Sequence, residues 1–239
     1  MPLPKLNDVP KYDIVIPSTK VKTKFRPYLV KEEKLLFLAI ESGDDGEIAA
    51  STLGLCIACI DADLDPLTLT TYDIDFMFCQ IRSKSVGETV NLKIQCEDTE
   101  CDGVTEVPIN ISEAYVDGID FESMIEINKD VSLEMQHVTY LNAQKINLVE
   151  RTAETGDYLQ EMIANSIKAI HTENERLEAS DSTEAEMIEF LDQMTTDQYN
   201  KLREFVAEMP IVTIKTKWKC VKCSKDQDML LKGLNDFFQ

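Results

Sequence analysis

The stretch Ile211-Val-Thr-Ile-Lys-Thr-Lys-Trp-Lys-Cys220-Val-Lys-Cys223 alternates apolar and polar residues and then breaks into a C-x2-C pair. Alternation of period two marks a half-buried strand, and the return segment Met229-Leu-Leu-Lys-Gly233 places the two cysteines at the tip of a hairpin. The pattern has a counterpart far upstream. Thr89-Val-Asn-Leu-Lys-Ile-Gln-Cys96 and Val104-Thr-Glu-Val-Pro-Ile-Asn-Ile111 flank a second pair, Cys96-Glu-Asp-Thr-Glu-Cys101, at C-x4-C. Zn2+ takes four ligands in a tetrahedron and binds thiolate well, so two hairpin tips each delivering two thiols form a zinc ribbon. The expected fold is therefore α+β: an N-terminal hairpin and helices, a zinc-ribbon-like β unit formed by two distant cysteine hairpins, and a helical insertion.

The candidate metal ligands are Cys96, Cys101, Cys220 and Cys223, holding one structural Zn2+; four unliganded thiols are the alternative. Lys219, Lys222 and Lys225 offset the charge of a tetrathiolate. Against the site stand Glu97, Asp98 and Glu100 inside the first knuckle, and a gap between pairs far beyond the usual spacing of roughly 15 to 20 residues. Four cysteine ligands leave no open position for water or substrate, so the expected role is structural and not catalytic.

Composition sets the outer bounds. The chain has 239 residues, 44% hydrophobic and 28% charged, which suits a globular protein of one or two domains. Twenty-four Lys and Arg against forty-four Asp and Glu give a net charge of -20. Such a field repels phosphate backbones and anionic lipid, so neither nucleic acid nor membrane is expected as a partner. The start Met1-Pro-Leu-Pro-Lys-Leu-Asn-Asp8 lacks the pattern of a signal peptide, and the apolar passage Leu53 to Ile60 ends in Asp61, too short for a membrane span. Without an export signal the seven cysteines would fold among reduced thiols, which favours metal ligation over disulfides.

Along the chain, Tyr12–Ile16 and Val21–Phe25 alternate apolar and polar residues around Pro17-Ser-Thr-Lys20, and a hairpin is expected there. Helices follow at Lys31 to Glu41, stopped by Gly43, at Gly46 to Ile60, and from Thr71 to Ser83. Cys56-x-x-Cys59 and Cys79 read as small apolar residues in helix cores, with a redox or metal motif as the alternative for the first two. Ile119 to Ile127 and Val131 to Val138 read as strands about a turn at Asn128-Lys-Asp130. From Asn142 to Pro210 the period is helical, with breaks near Gly156 and Ser180–Ser182. Leu159, Met162, Ile163, Ser166, Ile167 and Ile170 follow one helical stripe, and Ser182-Thr183 and Thr195 or Thr196 are placed to cap later helices. The acidic run Glu173 to Glu189 reads as a solvated face, or else as a dock for a basic partner. The division that results is 1–88, then 89–141 with 210–239, then 142–209, or one compact domain. His137 and His171 lack ligand spacing, and no Gly-rich phosphate loop, G-x-S-x-G or H-E-x-x-H occurs.

Phe25-Arg-Pro-Tyr-Leu-Val-Lys-Glu-Glu-Lys-Leu-Leu-Phe-Leu-Ala-Ile-Glu-Ser42 resembles the N-terminal signature of the T4-type phage baseplate hub family. The similarity extends to Pro2–Asn7, Pro10–Tyr12, Tyr72–Phe76, Gln80–Glu88, Phe205–Pro210 and Gly233–Phe238. The resemblance implies a non-enzymatic tail protein that acts in assembly of the central baseplate hub, as a hub component or an assembly chaperone. It implies other hub or tail proteins, the tape-measure protein among them, as partners, and leaves the oligomeric state open. Its place would be the host cytoplasm during assembly, or the baseplate of the finished tail. The resemblance also supports the four cysteines as structural ligands. The block Phe25 to Ser42 is then either a partner surface or a folding unit. A zinc-stabilised adaptor unrelated to phage tails is the alternative function.

Overall fold

The computed structural model describes residues 9–150 and 155–237. The opening Pro2–Asn7 and the final Phe238 of the motifs above, and residues 151–154 before Gly156, lie outside the described residues. In chain order the elements are β1 (Tyr12–Val15), β2 (Lys22–Phe25), α1 (Val30–Ser42), α2 (Asp45–Cys59) and α3 (Thr71–Ser85). The cysteine hairpin β3 (Thr89–Gln95) and β4 (Val104–Asn110) follows, then β5 (Tyr115–Val116), β6 (Met124–Glu126) and β7 (Val131–Met135). Next come α4 (Tyr140–Glu150), α5 (Thr155–Ser166), β8 (Ile167–Thr172), β9 (Arg176–Glu178), α6 (Glu184–Asp192) and α7 (Thr196–Ala207). The chain closes with β10 (Val212–Lys219), β11 (Asp226–Lys232) and α8 (Gly233–Phe237). The fold is α+β, with a zinc-ribbon-like unit formed by two cysteine hairpins distant in sequence.

Two units divide these elements: residues 9–66, 72–117 and 211–237 form the first, and residues 67–71 and 118–210 the second. The first is built from hairpins and helices. β1 pairs with β2 from Tyr12 opposite Phe25 to Val15 opposite Lys22, and Lys20, at φ 57°, turns the chain between them. Helix α1 begins where the Glu32 carboxylate reaches back to accept the Leu29 N–H at 2.7 Å while Arg26 donates to it at 3.0 Å. Gly43, at φ 67°, ends that helix because a left-handed residue there is cheapest without a Cβ. The Asp44 carboxylate then caps α2 by accepting the Glu47 N–H at 2.9 Å.

The cysteine hairpins share one core. β3 and β4 run antiparallel from Thr89 opposite Asn110 to Gln95 opposite Val104, and alternation turns Leu92, Ile94, Val107 and Ile109 inward. β10 pairs with β11 from Thr213 opposite Lys232 to Lys219 opposite Asp226, and on its other edge with β5 through Val212 and Val116. Ile214, Trp218 and Leu231 meet the first hairpin's inward residues in a common cluster with Tyr72 and Phe237. Phe237 is fully buried, so the C-terminal aromatic closes the core of this unit. Because β5 and β10 are paired, the second unit leaves and re-enters the first at neighbouring strands.

The second unit is a four-stranded antiparallel sheet in the order β6-β7-β8-β9 with α4 to α7. The stretch 142–209 is thus mainly helical but carries two strands. The stripe from Leu159 to Ile170 does not stay in one helix: α5 stops at Ser166 and Ile167 opens β8. Ser166 donates its hydroxyl to the Met162 carbonyl at 2.6 Å, and its own carbonyl accepts the Gln136 N–H at 2.8 Å. Beyond it Ile167, Ile170 and Thr172 are β-branched and pair along β7. The strand expected over 119–127 is confined to Met124–Glu126. Thr183 and Thr195 cap α6 and α7 in reciprocal capping boxes with Glu186 and Gln198.

Candidate metal centre

Each pair of cysteines is held by a tight backbone turn at a hairpin tip. The Cys96 N–H donates to the Gly103 carbonyl at 2.8 Å and the Cys101 N–H to the Asp98 carbonyl at 2.8 Å. At the other tip, Cys220 N–H bonds the Lys225 carbonyl at 3.0 Å and Ser224 N–H bonds the Cys220 carbonyl at 2.9 Å, with Ser224 at φ 59°. The strands aim these turns at one another, so that all four Sγ atoms lie within 4.8 Å of one another. Cys96 Sγ is 3.7 Å from Cys223 Sγ, and Cys101 Sγ is 3.8 Å from Cys220 Sγ.

Those distances distinguish the chemistry open to the cluster. A disulfide needs sulfurs at about 2.05 Å, and all seven cysteines are free thiols. A tetrahedron with Zn–S bonds of about 2.3 Å has edges of about 3.8 Å, which the two measured separations match. Among the described residues this is the one group of three or more His, Cys, Asp or Glu placed to hold a metal ion.

The surroundings fit a tetrathiolate. Gln227 donates from Nε2 to Cys96 Sγ at 3.0 Å and accepts the Glu97 N–H at 3.0 Å, so one side chain orients a ligand and links the two hairpins. The Lys222 N–H points to Cys220 Sγ at 3.4 Å, and the Val221 N–H donates to Thr105 Oγ1 at 3.1 Å. Gly103 lies where no side chain fits: a Cβ there would stand 2.8 Å from Lys222 Cβ, 2.9 Å from Cys220 Sγ and 3.3 Å from Cys101 Sγ. Lysines of the second hairpin offset part of the acidic charge of the first, since Lys225 pairs with Asp98 of the knuckle and Lys222 with Asp102 just beyond it. Lys225 draws the Asp98 carboxyl below its ordinary range, and Asp98 in turn raises the Lys225 ammonium.

Proton affinities within the cluster diverge. The backbone N–H groups of Cys223 and Lys222 draw the Cys220 thiol down to about 6. Burial pushes Cys96 up to about 12, and the neighbouring thiols of Cys223, Cys220 and Cys101 add to the rise. At Cys101 the Gly103 N–H favours the thiolate, but burial and the thiols of Cys223 and Cys220 outweigh it and the group is raised. Cys220 is thus the thiol that the protein itself most favours as thiolate, and four sulfurs at this spacing could hold a metal ion. Cys96, Cys101 and Cys220 are buried and Cys223 is half-buried, so the centre is closed.

The remaining sequence candidates lie elsewhere. Cys56, Cys59 and Cys79 are buried in the helical part of the first unit, and burial raises all three thiols, Cys59 to about 11. In the second unit, His137, Phe121 and Phe205 form a three-ring cluster, with His137 4.1 Å from Phe121 and 5.9 Å from Phe205 and the two phenylalanines 5.4 Å apart by ring centroids. His171 faces Glu134, whose oxygens also receive Lys168 at 2.6 Å and Arg176 at 2.8 Å. These three partners, Lys168 first, hold the Glu134 carboxyl at about 2. This cluster, Gln227 and Gly103 escape a reading of the sequence, since each depends on strand register or on the approach of a distant turn.

Fold and site together define an α+β protein whose distant hairpins meet in a closed four-thiol cluster. The chain belongs to the family of T4 bacteriophage base plate proteins, whose family profile matches residues 9–239. Its role accordingly lies in the phage baseplate, among other baseplate and tail proteins. No curated protein and no solved structure matches the chain. Among the described residues, no helix is long and apolar enough to cross a membrane.

Proposed function

We propose that the chain is a non-enzymatic protein of the central baseplate hub, acting as a hub component or as a chaperone of hub assembly through protein contacts. The observation that carries this reading is a family match over residues 9–239 in a chain whose candidate metal centre is closed by four thiols. A closed tetrathiolate binds no substrate; it fixes the hairpins that carry it. Family membership favours this reading over an adaptor unrelated to phage tails. Its partners are other hub or tail proteins, the tape-measure protein among them, met in the host cytoplasm during assembly.

The metal is structural zinc, held by Cys96, Cys101, Cys220 and Cys223. When bound it supplies the positive charge that keeps the four sulfurs ionised. Gln227, the Lys222 N–H and the two Lys–Asp pairs orient and balance the ligands.

The test of the hub role is co-expression of the full chain with the hub and tail genes of its phage, followed by purification and mass measurement. A defined complex with a hub protein or the tape-measure protein is expected. A chain that purifies alone in every combination would refute the role.

A further inference from the structure

Helix α1 carries large apolar side chains on every side, yet only Glu32 and Ala39 of it are buried. Val30 is 64% exposed, Leu35 62%, Phe37 58%, Leu38 62% and Ile40 51%. A helix apolar all round is ordinarily a buried one. At ordinary side-chain areas the patch is on the order of 500 Å², the upper end of what monomers leave in water. Of these residues Val30, Phe37 and Leu38 lie on the side opposite Glu32 and Ala39, and the stems of Lys34 and Glu41 extend that stripe.

The order of residues along the outward stripe says what fits it. At about 100° per residue, Val30, Lys34, Phe37, Leu38 and Glu41 face away from Glu32 and Ala39. Lys34 and Glu41 are equally far from the point between Phe37 and Leu38, one on each side. A second copy running antiparallel therefore sets Lys34 against Glu41 twice and places Phe37 against Leu38 at the centre. Lys34 and Glu41 are both exposed, and neither has an ion-pair partner among the described residues. Such a stripe is self-complementary, as the interface of a two-fold dimer must be.

We propose that α1 is a homodimerisation surface, pairing with α1 of a second copy antiparallel about a two-fold axis between Phe37 and Leu38. Each Lys34 then meets the partner's Glu41. The net charge of -20 opposes association, but its reach is about 8 Å at physiological ionic strength, so the local seam decides the contact. The surface is separate in sequence from the cysteine cluster and does not depend on it.

Sedimentation velocity of the full chain over a wide concentration range at physiological salt tests this. The mass is expected to rise from 27.1 kDa to twice that value. Leu38→Lys, Lys34→Glu and Glu41→Lys should each weaken the dimer by about tenfold or more, since a two-fold interface feels each change twice. The double reversal Lys34→Glu/Glu41→Lys should restore it. All these positions are exposed, so circular dichroism and thermal unfolding should show the variants folded like the wild type. A monomer at every concentration, as when another tail protein covers α1, would overturn the proposal. So would a dimer indifferent to Leu38→Lys, or a single reversal that the double variant fails to rescue.

Discussion

Replacing Cys220 and Cys223 by serine should remove the cross-link between the two hairpins, and its size follows from chain geometry. Cys101 and Cys220 lie 119 positions apart, so a bridge between them closes a loop of about that length in the unfolded chain. The entropy of closing such a loop corresponds to about 5 kcal/mol at 25 °C, following the logarithmic dependence on length. That is a large part of the 5 to 15 kcal/mol typical of a folded domain. At roughly 2 to 4 °C per kcal/mol for a chain of this size, the midpoint of thermal unfolding should fall by about 10 to 20 °C. Trp218, the one tryptophan of the chain, is buried two residues before Cys220 and reports the event by fluorescence alongside circular dichroism. A strong chelator should lower the wild-type midpoint toward that of the variant and leave the variant unchanged. Equal midpoints for wild type and variant, with the chelator inert on both, would refute the clamp.

Three further outcomes follow from other contacts. Gly103→Ala places a Cβ 2.9 Å from Cys220 Sγ and 2.8 Å from Lys222 Cβ, so it should cost about 1 to 3 kcal/mol and weaken metal retention, as read by unfolding and metal analysis. Glu134 has a folded pKa of about 2, below its unfolded value of about 4.3. Its contribution is fully present above that unfolded value and is lost as pH falls toward 2, so wild type and Glu134→Gln should differ in stability at pH 6 and converge in strong acid. Trp218 Nε1 is buried without a hydrogen-bond partner among the described residues, so Trp218→Phe should lose less stability than an ordinary aromatic truncation, followed by denaturant unfolding.

The meeting of the two cysteine pairs was legible because C-x2-C and C-x4-C each sit between alternating stretches, and alternation reports both strand and inward face. Helix caps were legible to within a residue for a similar local reason, since Thr183 and Thr195 find their hydrogen-bond partners Glu186 and Gln198 within one turn. Strand β8 was hidden because Ile163 and Ile167 stand four apart and fill one core, although they belong to a helix and a strand. Glu134 gathers Lys168, His171 and Arg176 only once β7, β8 and β9 are in register, and no local spacing announces that. Gly103 is required by a turn more than a hundred residues away. For α1, the stop at Gly43 was readable, but which of its apolar sides meets protein depends on α2, and only Glu32 and Ala39 turned out to be buried.

The central claim is that one structural metal ion ties the middle of the chain to its end. Native mass spectrometry of the full chain, purified under reducing conditions and paired with elemental analysis, tests it most directly. The account predicts about one zinc per chain, retained in the folded protein and lost on acidification as the thiolates take up protons. A folded, reduced chain that carries no metal and gains no stability from added zinc would contradict it.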